Sequence, residues 1–254
     1  MRNRVKQKLA EGGVALGAWM SLLNEKASRT VAASGLDWVL YDTEHDSPSI
    51  ETVDRLVRAV GTDGALPIVR VVWNDINAIK KALDTGAWGV VVPWVNTAEE
   101  AERAVTYTRY APEGLRGCAA GRPASAWGLT SREYMDVAND EVMVIAQIET
   151  RKAVENIEAI VSVEGVNATF IGPSDLSASY GVRGEFWHPK VLEAMERVVE
   201  ACDSAGIAPG IAFARDLDHH RELIESGFRF IGVGGDASFL SFGCRQTLAH
   251  IMGG

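Results

Sequence analysis

Short apolar runs alternate with longer amphipathic stretches along this chain. The runs fall at 13–20, 37–42, 66–71, 88–93, 142–149, 168–173, 207–213 and 228–235, and few polar residues interrupt them. A near-continuous run of aliphatic and β-branched residues predicts a parallel strand covered on both faces. Between the runs, ETVDRLVRAV, NDINAIKKALDTG, TAEEAERAVTYTR, RKAVENIEAIV, KVLEAMERVVEACDSAG and DLDHHRELIESG repeat apolar residues at helical spacing. Several begin at Asn, Thr, Ser or Asp and end at Gly, the residues that cap helices. Strands alternating with helices in this number predict an α/β chain closed as a (β/α)8 barrel, with an open doubly wound sheet as the competing arrangement.

Polar residues at the ends of the runs favour the barrel. Asp42 ends the second, Arg70 the third, Gln147 and Glu149 the fifth, and Asp175 follows the sixth. Barrel active sites gather at the C-terminal ends of the strands, so these groups are expected on one rim. The 254 residues are expected to form a single domain, 1–254. The stretch 110–139 breaks the alternation, is rich in Gly, Ala, Pro and Arg, and carries Trp127 and Tyr134. So long an irregular segment points to a lid or a subunit interface.

Composition narrows the partners. Asp and Glu number 34 against 25 Lys and Arg, for a net charge of -9, and no basic stripe stands out. Nucleic acid is therefore disfavoured and small molecules are expected. The basic start, MRNRVKQKLA, leads to Gly12 and Gly13 and not to an apolar segment of signal-peptide length, and no run is long enough for a bilayer. This pattern reads as cytoplasmic, without membrane contact. Cys118, Cys202 and Cys244 lie far apart without CxxC spacing, against both a disulfide framework and a zinc site.

The stretch WVLYD passes directly into Thr43, Glu44, His45 and Asp46, and burying unpaired charge is costly enough to require a purpose. Glu149 and Asp175, ending adjacent units, suit a hard cation such as Mg2+ or Mn2+ completed by waters and substrate oxygens, though either acid could instead cap the next helix. Arg70 could hold a carboxylate or an enolate oxygen, or pair structurally with Asp42 or Glu44. Histidine is the side chain whose ordinary pKa lies nearest neutral pH, which makes His45 the candidate for proton transfer, and Asp42 could fix its tautomer. Lys26, Lys80, Lys81, Lys152 and Lys190 fall on loops or helical patterns and Lys6 is near the terminus, which favours carbonyl activation by metal over an imine. No Ser, Cys or Thr stands in a GxSxG context. IGVGGD, 231–236, is either a phosphate cradle or a tight turn.

Together YDTEHDSPS, PIVRV, LDTGAWGVVVPWVNTAEEA, RYAPEGLRG, QIET and FIGPSDLSASYG resemble the class II, metal-dependent pyruvate aldolases of the HpcH/HpaI aldolase family, related to 4-hydroxy-2-oxoheptanedioate aldolase and 2-dehydro-3-deoxyglucarate aldolase. The resemblance runs from about GAWM to IGVGGD. It implies that Glu149 and Asp175 bind a divalent metal, Mg2+, Mn2+ or Co2+, with Gln147 contacting the keto acid. It implies further that Arg70 stabilises the enolate oxygen, that His45 works with Asp42 in proton transfer, and that the backbone after Gly172, at Ser174 and Asp175, cradles the pyruvate carboxylate. Relatives form hexamers in which Asp84 of a neighbouring subunit approaches the site. Ser174 and Thr43 replace the Ala and Gly common in relatives, which bears on acceptor specificity. The implied reaction is reversible cleavage of a 4-hydroxy-2-oxo acid to pyruvate and an aldehyde. A lyase acting on phosphoenolpyruvate or an acyl-CoA substrate, or a non-catalytic keto-acid-binding protein, would use much the same rim.

Overall fold

The computed structural model describes residues 2–46, 48–62 and 64–253. In chain order the first half holds α1 (Arg4–Ala10), β1 (Ala15–Trp19), α2 (Glu25–Ala32), β2 (Trp38–Asp42), α3 (Ile50–Val60), β3 (Leu66–Arg70), α4 (Ile76–Asp84), β4 (Gly89–Val92) and α5 (Ala98–Thr108). There follow α6 (Gly121–Ala126), α7 (Ser131–Glu141), β5 (Met143–Ile148), α8 (Arg151–Glu155), α9 (Ile157–Val161), β6 (Val166–Ile171) and α10 (Pro173–Ser179). The chain ends with α11 (Pro189–Ala205), β7 (Gly210–Ile211), α12 (His219–Glu225), β8 (Phe230–Gly235) and α13 (Asp236–Met252). Each strand pairs in parallel with the next and β8 closes onto β1, giving a (β/α)8 barrel.

Seven of the apolar runs contain one of these strands whole, and β6 begins at Val166, two residues before its run. Helix starts follow local chemistry: Asn24, Ser49, Asp75, Thr97 and Thr150 each accept a hydrogen bond from the first turn that follows, a cap contributing about 1 kcal/mol. Inside the barrel Trp38 stacks on Phe230, 4.4 Å between centroids, and meets Phe170 edge-on. Gly17 on β1 makes room for it, since a Cβ there would lie 1.9 Å from the Trp38 ring. Truncating so buried a ring costs about 3–5 kcal/mol.

The segment 110–139 packs beside the start of β4 and not over the rim, so it is no lid, and its aromatic pair is not free for a neighbouring subunit. It contains α6 and most of α7, and Trp127 and Tyr134 are buried in the chain's own core against Trp88, at 5.8 and 5.2 Å. The Trp127 Nε1–H donates to the Gly86 carbonyl at 2.7 Å. Thr130 and Glu133 form a capping box that starts α7, a signal hidden by the polar surroundings of the segment.

Helix α13 lies beyond the helical patterns of the sequence. Its apolar residues are spread around it, only Asp236 is buried, and Leu240, Phe242, Leu248, Ile251 and Met252 are exposed. Among the described residues no helix is long and apolar enough to cross a membrane.

Candidate active site

Register brings the first pair together. Asp42 and Arg70 are Cα partners at the ends of β2 and β3, and alternation puts Asp42 on the same side of β2 as the inward Trp38. Arg70 donates through Nε to Asp42 Oδ1 at 2.8 Å and through Nη2 to Oδ2 at 2.5 Å. Its Nη1 lies 3.0 Å from Glu44 Oε2, an ion pair without hydrogen-bond alignment, since that oxygen has no hydrogen-bonded partner among the described residues. The Trp19 ring sits 4.8 Å from the guanidinium carbon, within cation–π range. Burial would raise the Asp42 pKa, but the Arg70 fork outweighs it and holds the carboxyl below the ordinary range; burial pushes Glu44 up. The structural ion pair is thus realised without consuming the cation. Two of the five guanidinium N–H donors of Arg70 are given to Asp42.

Asp42 does not fix the tautomer of His45. Its oxygens are taken by Arg70 and by the Glu44 N–H, 2.9 Å from Oδ1, because a charged two-point fork outcompetes a single imidazole bond. The carboxylate within ion-pairing reach of His45 is Glu44, 3.7 Å from Nε2, and the imidazole is 65% exposed at the mouth.

The second group forms where β5 and β6 end. Glu149 is buried, its Oε1 accepting from the Trp94 N–H at 2.9 Å and its Oε2 from Gln147 Nε2 at 2.6 Å. Burial pushes its pKa up to about 7, the Trp94 N–H opposing and the Glu44 and Asp175 carboxylates adding to the rise. Gly172 leaves space for it: a Cβ there would meet Glu149 Oε2 at 3.0 Å. Asp175, in the first turn of α10, is exposed, as is Ser174. Glu149 and Asp175 line one cleft of about 370 Å³ with Trp94, Asn96 and Lys152.

The donor set fits a hard divalent cation. Two carboxylates share the cleft, the buried one is pushed up by burial and by its acidic neighbours Glu44 and Asp175 more than the Arg70 charge offsets, and Gln147 Oε1 is buried without a hydrogen-bond partner among the described residues. No cluster of three or more His, Cys, Asp or Glu suited to a metal occurs among the described residues, so water and substrate oxygens would complete the shell, as hard cations permit. Every lysine lies in a helix, and none is on a strand lining the mouth.

Asp84 is not brought to this rim. It ends α4, which runs back towards the strand N-termini, and it pairs with Arg116 at 3.3 Å. Arg116 is fully buried, 4.5 Å from the Tyr110 ring. The IGVGGD stretch is not an open phosphate cradle either. The Asp236 carboxylate already accepts from the backbone N–H groups of Ser21, Leu22 and Ala237 at 2.8–3.3 Å. Trp94 escaped the sequence reading because an apolar residue at a strand end carries no polar flag, although its neighbour Pro93 ends the fourth run where the other strands supply acids.

From residue 15 to 241 the chain matches the HpcH/HpaI aldolase/citrate lyase family. It belongs to that family. The 4-hydroxy-2-oxo-heptane-1,7-dioate aldolase of Salmonella typhimurium is 39% identical to it over 98% of this chain and 95% of that protein. An HpcH/HpaI aldolase/citrate lyase family protein from Burkholderia cenocepacia superposes with a TM-score of 0.91 at 37% identity, covering 98% of this chain and 99% of that one. An HpcH/HpaI aldolase from Desulfitobacterium hafniense gives 0.88 at 33% identity, covering 97% and 95%.

Proposed function

We infer that this HpcH/HpaI family chain is a carbon–carbon lyase, a metal-dependent aldolase that reversibly cleaves a 4-hydroxy-2-oxo acid to pyruvate and an aldehyde. The observation that carries this reading is the pairing, on one rim, of a cation locked in place, Arg70, with a buried carboxylate that shares a cleft with a second, Glu149 and Asp175.

Glu149 and Asp175 would hold the divalent ion, Mg2+, Mn2+ or Co2+, which when bound supplies Lewis acidity at the keto acid. Gln147 contacts the keto acid through its amide, and the backbone of Ser174 and Asp175 after Gly172 receives the carboxylate. His45, open to the mouth, accepts the C4 hydroxyl proton. As the C3–C4 bond breaks, its electron pair passes to C3 and the C2 oxygen, and Arg70, through donors it does not give to Asp42, stabilises the enolate oxygen that results. A proton delivered to C3 gives pyruvate, and C4 leaves as the aldehyde carbonyl. Addition reverses each step. Asp42 and Glu44 act on Arg70 and hold its fork immobile.

We include in the proposal a cytoplasmic single domain, 1–254, that assembles as a hexamer. The exposed apolar residues of α13 support assembly. The position of Asp84, at the opposite end of α4 from the rim, supports its acting on a neighbouring chain's site rather than its own. The test is direct: purified protein with a 4-hydroxy-2-oxo acid and Mg2+ should release pyruvate and aldehyde in equal amounts. Metal-loaded protein that binds pyruvate but turns over no such acid would refute the reading.

A further inference from the structure

Leu23 and Trp94 are the non-glycine residues of positive φ among those described, at +50° and +54°. A bulky side chain rarely adopts this region. At position 94 the backbone has an evident task, since its N–H reaches Glu149 Oε1 at 2.9 Å. Glycine or asparagine would make that turn without strain. The turn therefore does not explain the tryptophan. Pro93 and Val95 on either side are buried, whereas the Trp94 side chain remains 44% exposed and forms part of the cleft wall beside Glu149 and Asp175.

A second indole stands next to it. Trp73, on the loop after β3, is 53% exposed, its neighbour Val72 is 54% exposed, and its ring centroid lies 6.3 Å from that of Trp94 at an interplanar angle of 36°. The rings are tilted rather than stacked, so their faces are not given to each other. Single exposed apolar residues are ordinary, but adjoining ones at the edge of a polar site mark a binding surface.

We propose that Trp73 and Trp94 form the wall of the aldehyde subsite and select aldehydes that carry a planar apolar group, aromatic or conjugated. This rests on the aldolase reading above. The keto acid needs charge and hydrogen bonds, which Arg70, Gln147 and the carboxylate cleft provide. The indole faces offer aromatic contact, which suits the other reactant.

The experiment compares addition of pyruvate to benzaldehyde and to glycolaldehyde by wild type, Trp73→Ala and Trp94→Asn with Mg2+ supplied; Asn keeps the N–H and tolerates the turn. The ratio of kcat/KM for benzaldehyde over glycolaldehyde should fall about tenfold or more in each variant, mainly through the KM of the aromatic aldehyde. A ratio within about twofold of wild type in both folded variants overturns the proposal. So does a wild-type enzyme that accepts glycolaldehyde but not benzaldehyde. Loss of assembly in sedimentation, with both aldehydes equally affected, overturns it too and assigns the indoles to a subunit contact. Oxaloacetate decarboxylation by wild type separates the two levels: if that and both additions are absent, the aldolase reading has failed, whereas their presence with an unmoved ratio removes only the aromatic wall.

Discussion

Arg70 grips Asp42 with two hydrogen bonds, 2.8 and 2.5 Å long, at the ends of neighbouring strands. Both side chains are buried, 9% and 6% exposed. Asp42→Asn should lose on the order of 3 kcal/mol at neutral pH, the scale for removing one partner of a buried pair. The folded pKa of Asp42 lies below its unfolded value, so this contribution is complete above the unfolded Asp pKa of about 3.9 and disappears as pH falls through the folded one. Urea titrations of wild type and variant should therefore diverge at pH 7 and converge in acid. Equal stability at pH 7 would show the pair to be without structural effect.

His45 is testable by a reaction that omits its step. Oxaloacetate loses CO2 to give the same enolate and has no C4 hydroxyl to deprotonate. His45→Ala should slow aldol cleavage by roughly 10²-fold, the usual scale of general base catalysis, with a much smaller effect on decarboxylation. Steady-state kinetics on both substrates decides it. Equal losses in a folded variant would mean that the imidazole orients the keto acid and is not the base.

Arg70→Ala should behave differently from His45→Ala. The enolate forms in both reactions, so both should fall together, by about 10² or more. Selective loss of aldol cleavage alone would contradict an enolate role for the guanidinium.

Chelator should abolish turnover, and Mg2+, Mn2+ or Co2+ should restore it. Glu149→Gln and Asp175→Asn should each carry less metal by elemental analysis, since two carboxylates are the evident protein ligands. Borohydride with pyruvate should leave the protein mass unchanged. A pyruvyl adduct on any lysine would point instead to an imine.

Assembly should depend on α13. Leu240→Asp combined with Leu248→Asp adds two charges to an exposed apolar helix and should shift sedimentation towards smaller species, with the barrel still folded by circular dichroism. An unchanged sedimentation profile would free α13 from any part in the interface.

The sequence by itself determined the barrel and the identity of its rim. The eight runs become the eight strands because a parallel strand covered on both faces admits almost no polar residue before its end, and the acids and Arg70 sit at or just past the strand ends. Motif order was equally legible, since family membership is carried by contiguous stretches. Pairing was not. His45 and Asp42 are three apart in sequence, yet Asp42 joins Arg70, because strand register rather than chain proximity sets which groups meet. Trp127 and Tyr134 read as interface residues until Trp88, from a distant strand start, gives them a core to fill. The phosphate cradle closes for the same kind of reason: Asp236 reaches across to Ser21 and Leu22 from the far end of the chain. The tertiary structure alone decided the surroundings of Glu149, whose buried carboxylate depends on an N–H delivered by Trp94 from the loop after β4. Residue types fix what a group can do, and spacing fixes where along a strand it falls. Which partner desolvates it, and which competes for its hydrogen bonds, is settled only when remote segments come into contact.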